Sequence, residues 1–140
     1  MKTIAKLSIF LLFIVVTACS KSDNSEPTPK IDGEWNLKYV NGSFTGASHY
    51  FQPGIVNWKF DPTNQTVTVE NNNTDTNLNA IFPSGTYNYE ILDSNPDVSC
   101  SQSIKIDGIE FGCLEITTDE LNITQTYVDG FHVHLVRYSL

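Results

Sequence analysis

Two histidines have the spacing that first suggests chemistry in this chain. His132 and His134 are two positions apart in a segment with alternating apolar residues, so on a strand both side chains would leave the same face. Imidazoles bind divalent transition metals, but a zinc site needs three or four ligands at fixed geometry. We therefore expect an ordinary surface pair, with no metal site. The third histidine, His49, lies beside Tyr50 and Phe51 in a predicted loop, where ligand contact and solvent exposure both remain open.

The sequence contains none of the common catalytic motifs. G-x-S-x-G, H-E-x-x-H, the P-loop and G-x-G-x-x-G are all missing. Glu34 and Glu90 alternate with apolar residues and are expected to point to solvent, so the paired carboxylates of a glycoside hydrolase cannot be identified. We predict no catalytic residue and a protein that is not an enzyme.

The first 18 residues are typical of a cleaved secretion signal. Lys2 and Lys6 supply the positive charge, and Leu7–Val16 is an apolar run broken only by Ser8. Ten residues are too few to span a bilayer, which needs about 20.

The residues after this run, Val16-Thr17-Ala18-Cys19, resemble the bacterial lipobox. The resemblance implies cleavage before Cys19, a diacylglycerol on its thiol and an N-acyl chain on the new amino terminus. Two or more chains anchor a protein stably, whereas one binds only marginally. The alternative is a plain secretory signal with a chance cysteine. No cofactor other than this covalent lipid is expected.

Residues 19–30 are expected to form the lipidated cysteine and a flexible tether, because they contain two prolines and no large apolar side chain. Ser20 stands where an Asp would resemble an inner-membrane retention signal, so outer-membrane placement is expected. Asp23 and Glu26 resemble the acidic export signals of surface lipoproteins in the Bacteroidota, although Lys21 departs from that pattern. The periplasmic face and the cell surface both remain open.

The charge balance excludes two classes of partner. The whole chain has 8 Lys+Arg and 16 Asp+Glu, a net charge of -8. Without Lys2 and Lys6 the mature chain has 6 basic and 16 acidic residues, hence -10. Nucleic-acid binding depends on Lys and Arg contacts with phosphates, and docking on anionic lipid needs a basic patch. We expect membrane association through the lipid alone; nothing indicates the oligomeric state.

Residues 31–140 are predicted to form one all-β domain. Period-two alternation recurs throughout and no amphipathic helix of eleven or more residues is evident. Turn residues such as Asp107-Gly108 and Asp129-Gly130 separate the runs. This pattern favours an antiparallel up-and-down barrel or a sandwich. The eight predicted strands are Glu34–Val40, Ile55–Phe60, Thr66–Glu70, Thr86–Leu92, Ser103–Ile106, Ile109–Ile116, Glu120–Tyr127 and Phe131–Tyr138.

Two features of these strands resemble the lipocalins and lipocalin-like proteins. Gly33-Glu34-Trp35 opens the first strand, and Arg137 lies in the last. The resemblance implies an eight-stranded barrel whose Arg137 stacks over Trp35 and closes one end. Trp35, Leu37 and Tyr39 are expected on one inward face. Unlike ordinary lipocalins, this chain is short and lacks their C-terminal helix.

Longer stretches resemble small lipocalin-like lipoproteins of Flavobacteria and other Bacteroidota. These stretches are residues 54–60, 66–73, 83–89 and 129–131. The resemblance implies a fold and a cellular location rather than an activity.

Cys100 and Cys113 form an even pair in a compartment that is oxidising if the chain is secreted. A two-residue turn at Asp107-Gly108 would make them diagonal neighbours across a hairpin, about 7–8 Å apart at Cα, slightly far for a disulfide. A bulge at Gly112 or fraying near Ser99 could bring them together. We predict the disulfide, with two free thiols as the alternative.

Aromatic residues are abundant enough to support two functions. They could line a pocket for a small hydrophobic ligand near the barrel mouth, or they could fill a barrel of eight strands, which is only just wide enough for its own side chains. The first case predicts a lipid-anchored binding protein, the second a structural or interaction module with a solid core. The candidate ligand contacts are Tyr39, Tyr50, Phe51, Trp58, Tyr87 and Tyr89.

Overall fold

Alternating apolar and polar residues form every regular element that the structure describes. The computed structural model describes residues 30–42, 44, 46–93, 100–126 and 129–138, and within these ranges it contains strands and no helix, as predicted. The predicted signal peptide, Cys19 and all of the tether except Lys30 lie outside the described residues. The strands are β1 (Gly33–Gly42), β2 (Ala47–Tyr50), β3 (Val56–Asp61), β4 (Thr66–Asn71), β5 (Gly85–Asp93), β6 (Gln102–Ile106), β7 (Ile109–Ile116), β8 (Glu120–Thr124) and β9 (Phe131–Val136).

The sheet closes into an antiparallel up-and-down barrel. Each strand from β3 to β8 pairs with the next, and β9 pairs back onto β1. Both β2 and β3 pair with β1, and because β9 occupies one edge of β1 they share the other edge. They therefore act as a single interrupted strand, which gives the eight-stranded, lipocalin-like barrel that was predicted.

The interruption between β2 and β3 is fastened to β1. The Phe51 amide donates to the Lys38 carbonyl (3.0 Å), and the Gly54 amide donates to Asn36 Oδ1 (2.8 Å). The sequence prediction placed β2 inside a loop, because its four residues are too few to reveal alternation.

A bulge in β1 reverses the side chains beyond it. The register shifts between Leu37 and Tyr39, so Leu37 points into the barrel and the next inward residue is Val40, which is fully buried. Tyr39 consequently points outward. The prediction that Tyr39 shares the inward face of Trp35 is wrong for this reason.

A second bulge, in β7, brings the two cysteines together. The pairs Ile106–Ile109 and Lys105–Glu110 are present, as the predicted two-residue turn at Asp107-Gly108 requires. Ile104 then faces Gly112, which leaves Phe111 as the extra residue. The Cys100 and Cys113 Cα atoms are consequently 5.5 Å apart, within the disulfide range. The predicted disulfide is confirmed as a cysteine pair at bonding distance.

The bulge requires glycine at position 112. Gly112 has φ +87°, and a Cβ there would lie 2.5 Å from the Thr124 carbonyl oxygen. Neither the left-handed backbone nor this close approach is available to other residues without strain. Gly112 therefore fixes both the register of the hairpin and the position of Cys113.

The last two strands end earlier than predicted. β8 stops at Thr124 because the next residue closes the connection to β9: the Gln125 amide donates to the Phe131 carbonyl (2.9 Å), and Gln125 Oε1 accepts from the Phe131 amide (2.8 Å). β9 stops at Val136, one residue before Arg137.

Candidate functional site

Side chains fill the barrel interior. Two fully buried tryptophans, Trp35 and Trp58, pack with aliphatic residues contributed by the strands around them. The sequence left open a ligand pocket or a filled barrel, and the described residues form a packed core. Its other strand residues are Leu37, Val40, Val56, Phe60, Val67, Val69, Tyr89, Ile104, Ile106, Phe111, Leu114, Leu121, Ile123, Val133 and Leu135.

The connection between β4 and β5 closes the mouth of the barrel. Phe82, only 6% exposed, lies among the rings of Trp58 (5.4 Å between centroids), Tyr87 (4.9 Å) and Phe111 (5.7 Å), which belong to three different strands. Asn71 Nδ2 donates to the Phe82 carbonyl (3.0 Å) and fastens the connection to β4. This connection, residues 72–84, is therefore a plug in the mouth of the barrel.

The backbone beside the plug is strained. Ile81 has φ +71°, a left-handed conformation that β-branched residues rarely adopt. Its amide donates to Asn79 Oδ1 (2.9 Å). Such a conformation costs about 1–3 kcal/mol and persists only where the surroundings hold it. Here the hydrogen bond to Asn79 and the burial of the neighbouring Phe82 surround it.

The six predicted ligand contacts do not form one site. Trp58, Tyr87 and Tyr89 point inward, where other side chains cover them: Tyr89 packs on Phe60 (5.2 Å between centroids) and Tyr87 on Phe82. Phe51 is buried, whereas Tyr50 and Tyr39 belong to the outer face, with Tyr50 65% exposed.

The space near Tyr50 and Phe51 is an open groove. Its volume is about 200 Å³, and Ile55 and Leu78 also line it. Sites for small molecules usually enclose about 300–1,000 Å³. The predicted pocket at the mouth is therefore a shallow groove beside the plug.

Trp35 and Arg137 cover the opposite end of the barrel. The guanidinium carbon of Arg137 lies 4.0 Å from the centroid of the Trp35 ring, as the lipocalin resemblance implied. Trp35 Nε1 donates to the Ile31 carbonyl (2.8 Å), and Arg137 Nη2 donates to the carbonyls of Lys30 (2.8 Å) and Asp32. Arg137 therefore fastens the start of the domain to the end of β9 and has a structural role.

A wider open cleft lies near this closed end. It measures about 520 Å³, and its apolar lining comes from Ile31, Pro62, Ile91 and Ile116. The sequence analysis assigned no role to this group, because its members belong to separate segments of the chain.

The outer face carries an aromatic cluster where β1, β8 and β9 meet, formed by Tyr39, Asn122, His132 and His134; we call it the histidine cluster. The bulge in β1 directs Tyr39 onto His134, where the rings stack 4.6 Å apart at 13°. Tyr39 also meets the His132 ring edge-on at 5.6 Å. His132 and His134 point outward, as predicted, but His134 is only 6% exposed, so it is no ordinary surface residue.

Asn122 joins the two imidazoles. Its Oδ1 lies 2.6 Å from His134 Nδ1 and 3.2 Å from His132 Nε2. Antiparallel pairing explains this convergence, because Asn122 faces His134 directly across β8 and β9. Asn122 was not among the predicted site residues, because ten residues separate it from His132 and only the strand register brings them together.

Burial disfavours the charged forms of His134 and Tyr39. Desolvation lowers the pKa of His134 below its ordinary value, assisted by the charge of Lys38 and opposed by that of Glu120. Desolvation also raises the pKa of Tyr39, and Glu120 adds to this increase. Near neutral pH, His134 is therefore a neutral imidazole and Tyr39 a neutral phenol.

Comparisons with known proteins give no relative: no family model, curated protein or solved structure matches the chain. Among the described residues, no helix has the length and apolar character needed to cross a membrane. In the same part of the chain, no three residues of the types His, Cys, Asp and Glu are grouped to hold a metal ion.

Proposed function

We propose that this protein is a lipid-anchored lipoprotein of the outer membrane, whose barrel is a non-catalytic interaction module with a solid core. The support for the anchor is the sequence: a basic start, a short apolar run and the lipobox-like Val16-Thr17-Ala18-Cys19 occur in the required order. The acidic domain disfavours electrostatic attachment to anionic lipid, so the covalent lipid on Cys19 is the contact with the membrane.

The packed barrel is the observation that favours interaction over ligand carriage. A carrier for a small hydrophobic molecule needs an apolar cavity, and here Phe82 occupies the mouth while Trp58 and its neighbours fill the interior. A partner would then bind the outer surface and loops, which carry exposed aromatic residues such as Tyr50 and Phe44.

A second candidate is a binding protein for a small hydrophobic molecule. The cleft lined by Ile31, Pro62, Ile91 and Ile116 favours it, because its volume of about 520 Å³ is in the range of ligand sites. In that case the ligand would lie near the closed end and away from Tyr50 and Phe51.

Cell fractionation of a Cys19→Ala variant tests the anchor. The wild-type protein should stay in the membrane fraction after a high-salt wash, and the variant should be released. Ser20→Ala is the matched control, because it changes the neighbouring residue and keeps the acylated cysteine. Retention of Cys19→Ala through the salt wash would contradict the proposal.

A further inference from the structure

The histidine cluster brings three metal-binding atoms to one place on the outer face. His132 Nε2 and His134 Nδ1 both lie within hydrogen-bonding distance of Asn122 Oδ1, at 3.2 and 2.6 Å. Metal–nitrogen and metal–oxygen bonds of about 2.0–2.1 Å separate neighbouring donors by about 2.9 Å at a right angle and about 3.4 Å at the tetrahedral angle. The two nitrogen–oxygen separations are therefore close to those of neighbouring donors. The two imidazole centroids are 6.5 Å apart, which places the nitrogens on opposite sides of the ion, as in a tetragonal site.

We propose that His132, His134 and Asn122 form a binding site for a late first-row divalent metal ion, with Cu²⁺ as the preferred ion. The donors are two imidazole nitrogens and one amide oxygen, a set suited to the tetragonal geometry of Cu²⁺. Cu²⁺ also has the highest affinity in the divalent series for a given N/O site. Water supplies the remaining positions, so the ion is exchangeable.

The surroundings hold the donors in place before an ion arrives. Tyr39 stacks on the His134 ring and meets the edge of the His132 ring, which restricts the rotation of both. Tyr39 is thus a positioning residue. Glu120, which acts electrostatically on His134, contributes negative charge, while Lys38 opposes it.

A metal ion that binds to neutral imidazoles causes no net loss of protons. A neutral imidazole carries one N–H, so a ring that donates to Asn122 Oδ1 must move this proton to its other nitrogen before it binds the ion. Asn122 then contributes its Oδ1 lone pair to the ion in place of the two hydrogen bonds.

The test uses the full chain in detergent, titrated with copper sulfate and followed by electron paramagnetic resonance. We expect one equivalent of Cu²⁺ with hyperfine structure from two imidazole nitrogens, and weaker binding of Zn²⁺. His132→Gln should weaken binding by about tenfold or more, in line with the effect of losing groups around a metal. His49→Gln, a change to the remaining histidine, is the matched control and should leave this site intact.

A gain of affinity separates a built site from a chance pair of histidines. Asn122→Asp places a carboxylate at the third donor and should tighten Cu²⁺ binding by about tenfold. Asn88→Asp adds the same charge on the exposed face of β5 and should have no such effect. Equal affinities of wild type, Asn122→Asp and Asn88→Asp would overturn the proposal, as would two-imidazole binding that survives in His132→Gln.

Discussion

The plug at the barrel mouth gives the sharpest prediction for stability. Replacing a buried Phe with Ala costs about 3–5 kcal/mol. Phe82 is 6% exposed and packs on three rings, so it belongs to this class. Release of the plug would also relax Ile81, whose left-handed backbone stores about 1–3 kcal/mol. Taking the middle of each range, a loss of about 4 and a gain of about 2 kcal/mol, we expect Phe82→Ala to lower the free energy of unfolding by about 2 kcal/mol.

Urea denaturation followed by tryptophan fluorescence measures this loss, because Trp58 touches the plug. With an m-value of about 1.5 kcal/mol/M, the midpoint should fall by about 1.3 M. Phe44→Ala is the matched control: Phe44 is 88% exposed and should change the midpoint little. Benzene should partly restore the stability of Phe82→Ala, because apolar voids of this kind bind it.

Two results would refute this reasoning. A loss below about 1 kcal/mol, similar to that of an exposed residue, would mean that Phe82 does not hold the mouth closed. The same stability with and without benzene would mean that removing the ring leaves no apolar void.

Three further predictions concern the hairpin and the turn that flank the core. Replacing both cysteines of the Cys100–Cys113 pair with serine should lower the free energy of unfolding by about 3 kcal/mol on the loop-entropy model, because 13 positions separate them. Thermal unfolding under oxidising conditions measures this loss, and an unchanged unfolding midpoint would contradict the prediction. Gly112→Ala should destabilise the protein far more than Gly108→Ala, because Gly108 has a similar positive φ but open space around it. Equal urea midpoints of the two variants would refute the steric argument. The side-chain amide of Asn64 and backbone amides of the turn donate to the Asp61 carboxylate and lower its pKa. The ionised carboxylate therefore stabilises the fold above pH 3.8, and this stabilisation is lost as the pH falls through the lowered pKa. Carboxyl NMR titration should find this pKa raised in Asn64→Ala, and an identical titration curve would contradict the assignment.

Most of the barrel was predictable because its signals are local. Alternation defines the eight strands, and Asp107-Gly108 sets the first pairs of its hairpin as predicted. The contact between Trp35 and Arg137, implied by the resemblance to lipocalins, is present as well.

The failures come from features that alternation does not encode. A single extra residue at the bulge in β1 turns Tyr39 from the interior to the outer face. Phe82 lies in a polar, asparagine-rich connection with no period, so its burial follows only from the space left by the barrel. Convergence of Asn122 with the two histidines depends on strand register. The six aromatic side chains assigned to one pocket are divided between the core and the outer face.

Intact mass spectrometry under native conditions, on protein isolated from the membranes of its own host, tests the central claim most directly. A lipid-anchored module with a solid barrel predicts a mature chain that begins at Cys19, carries covalent acyl groups and releases no further organic molecule on denaturation. A chain without acyl groups, or a small molecule bound in equal amount in repeated preparations, would contradict that account.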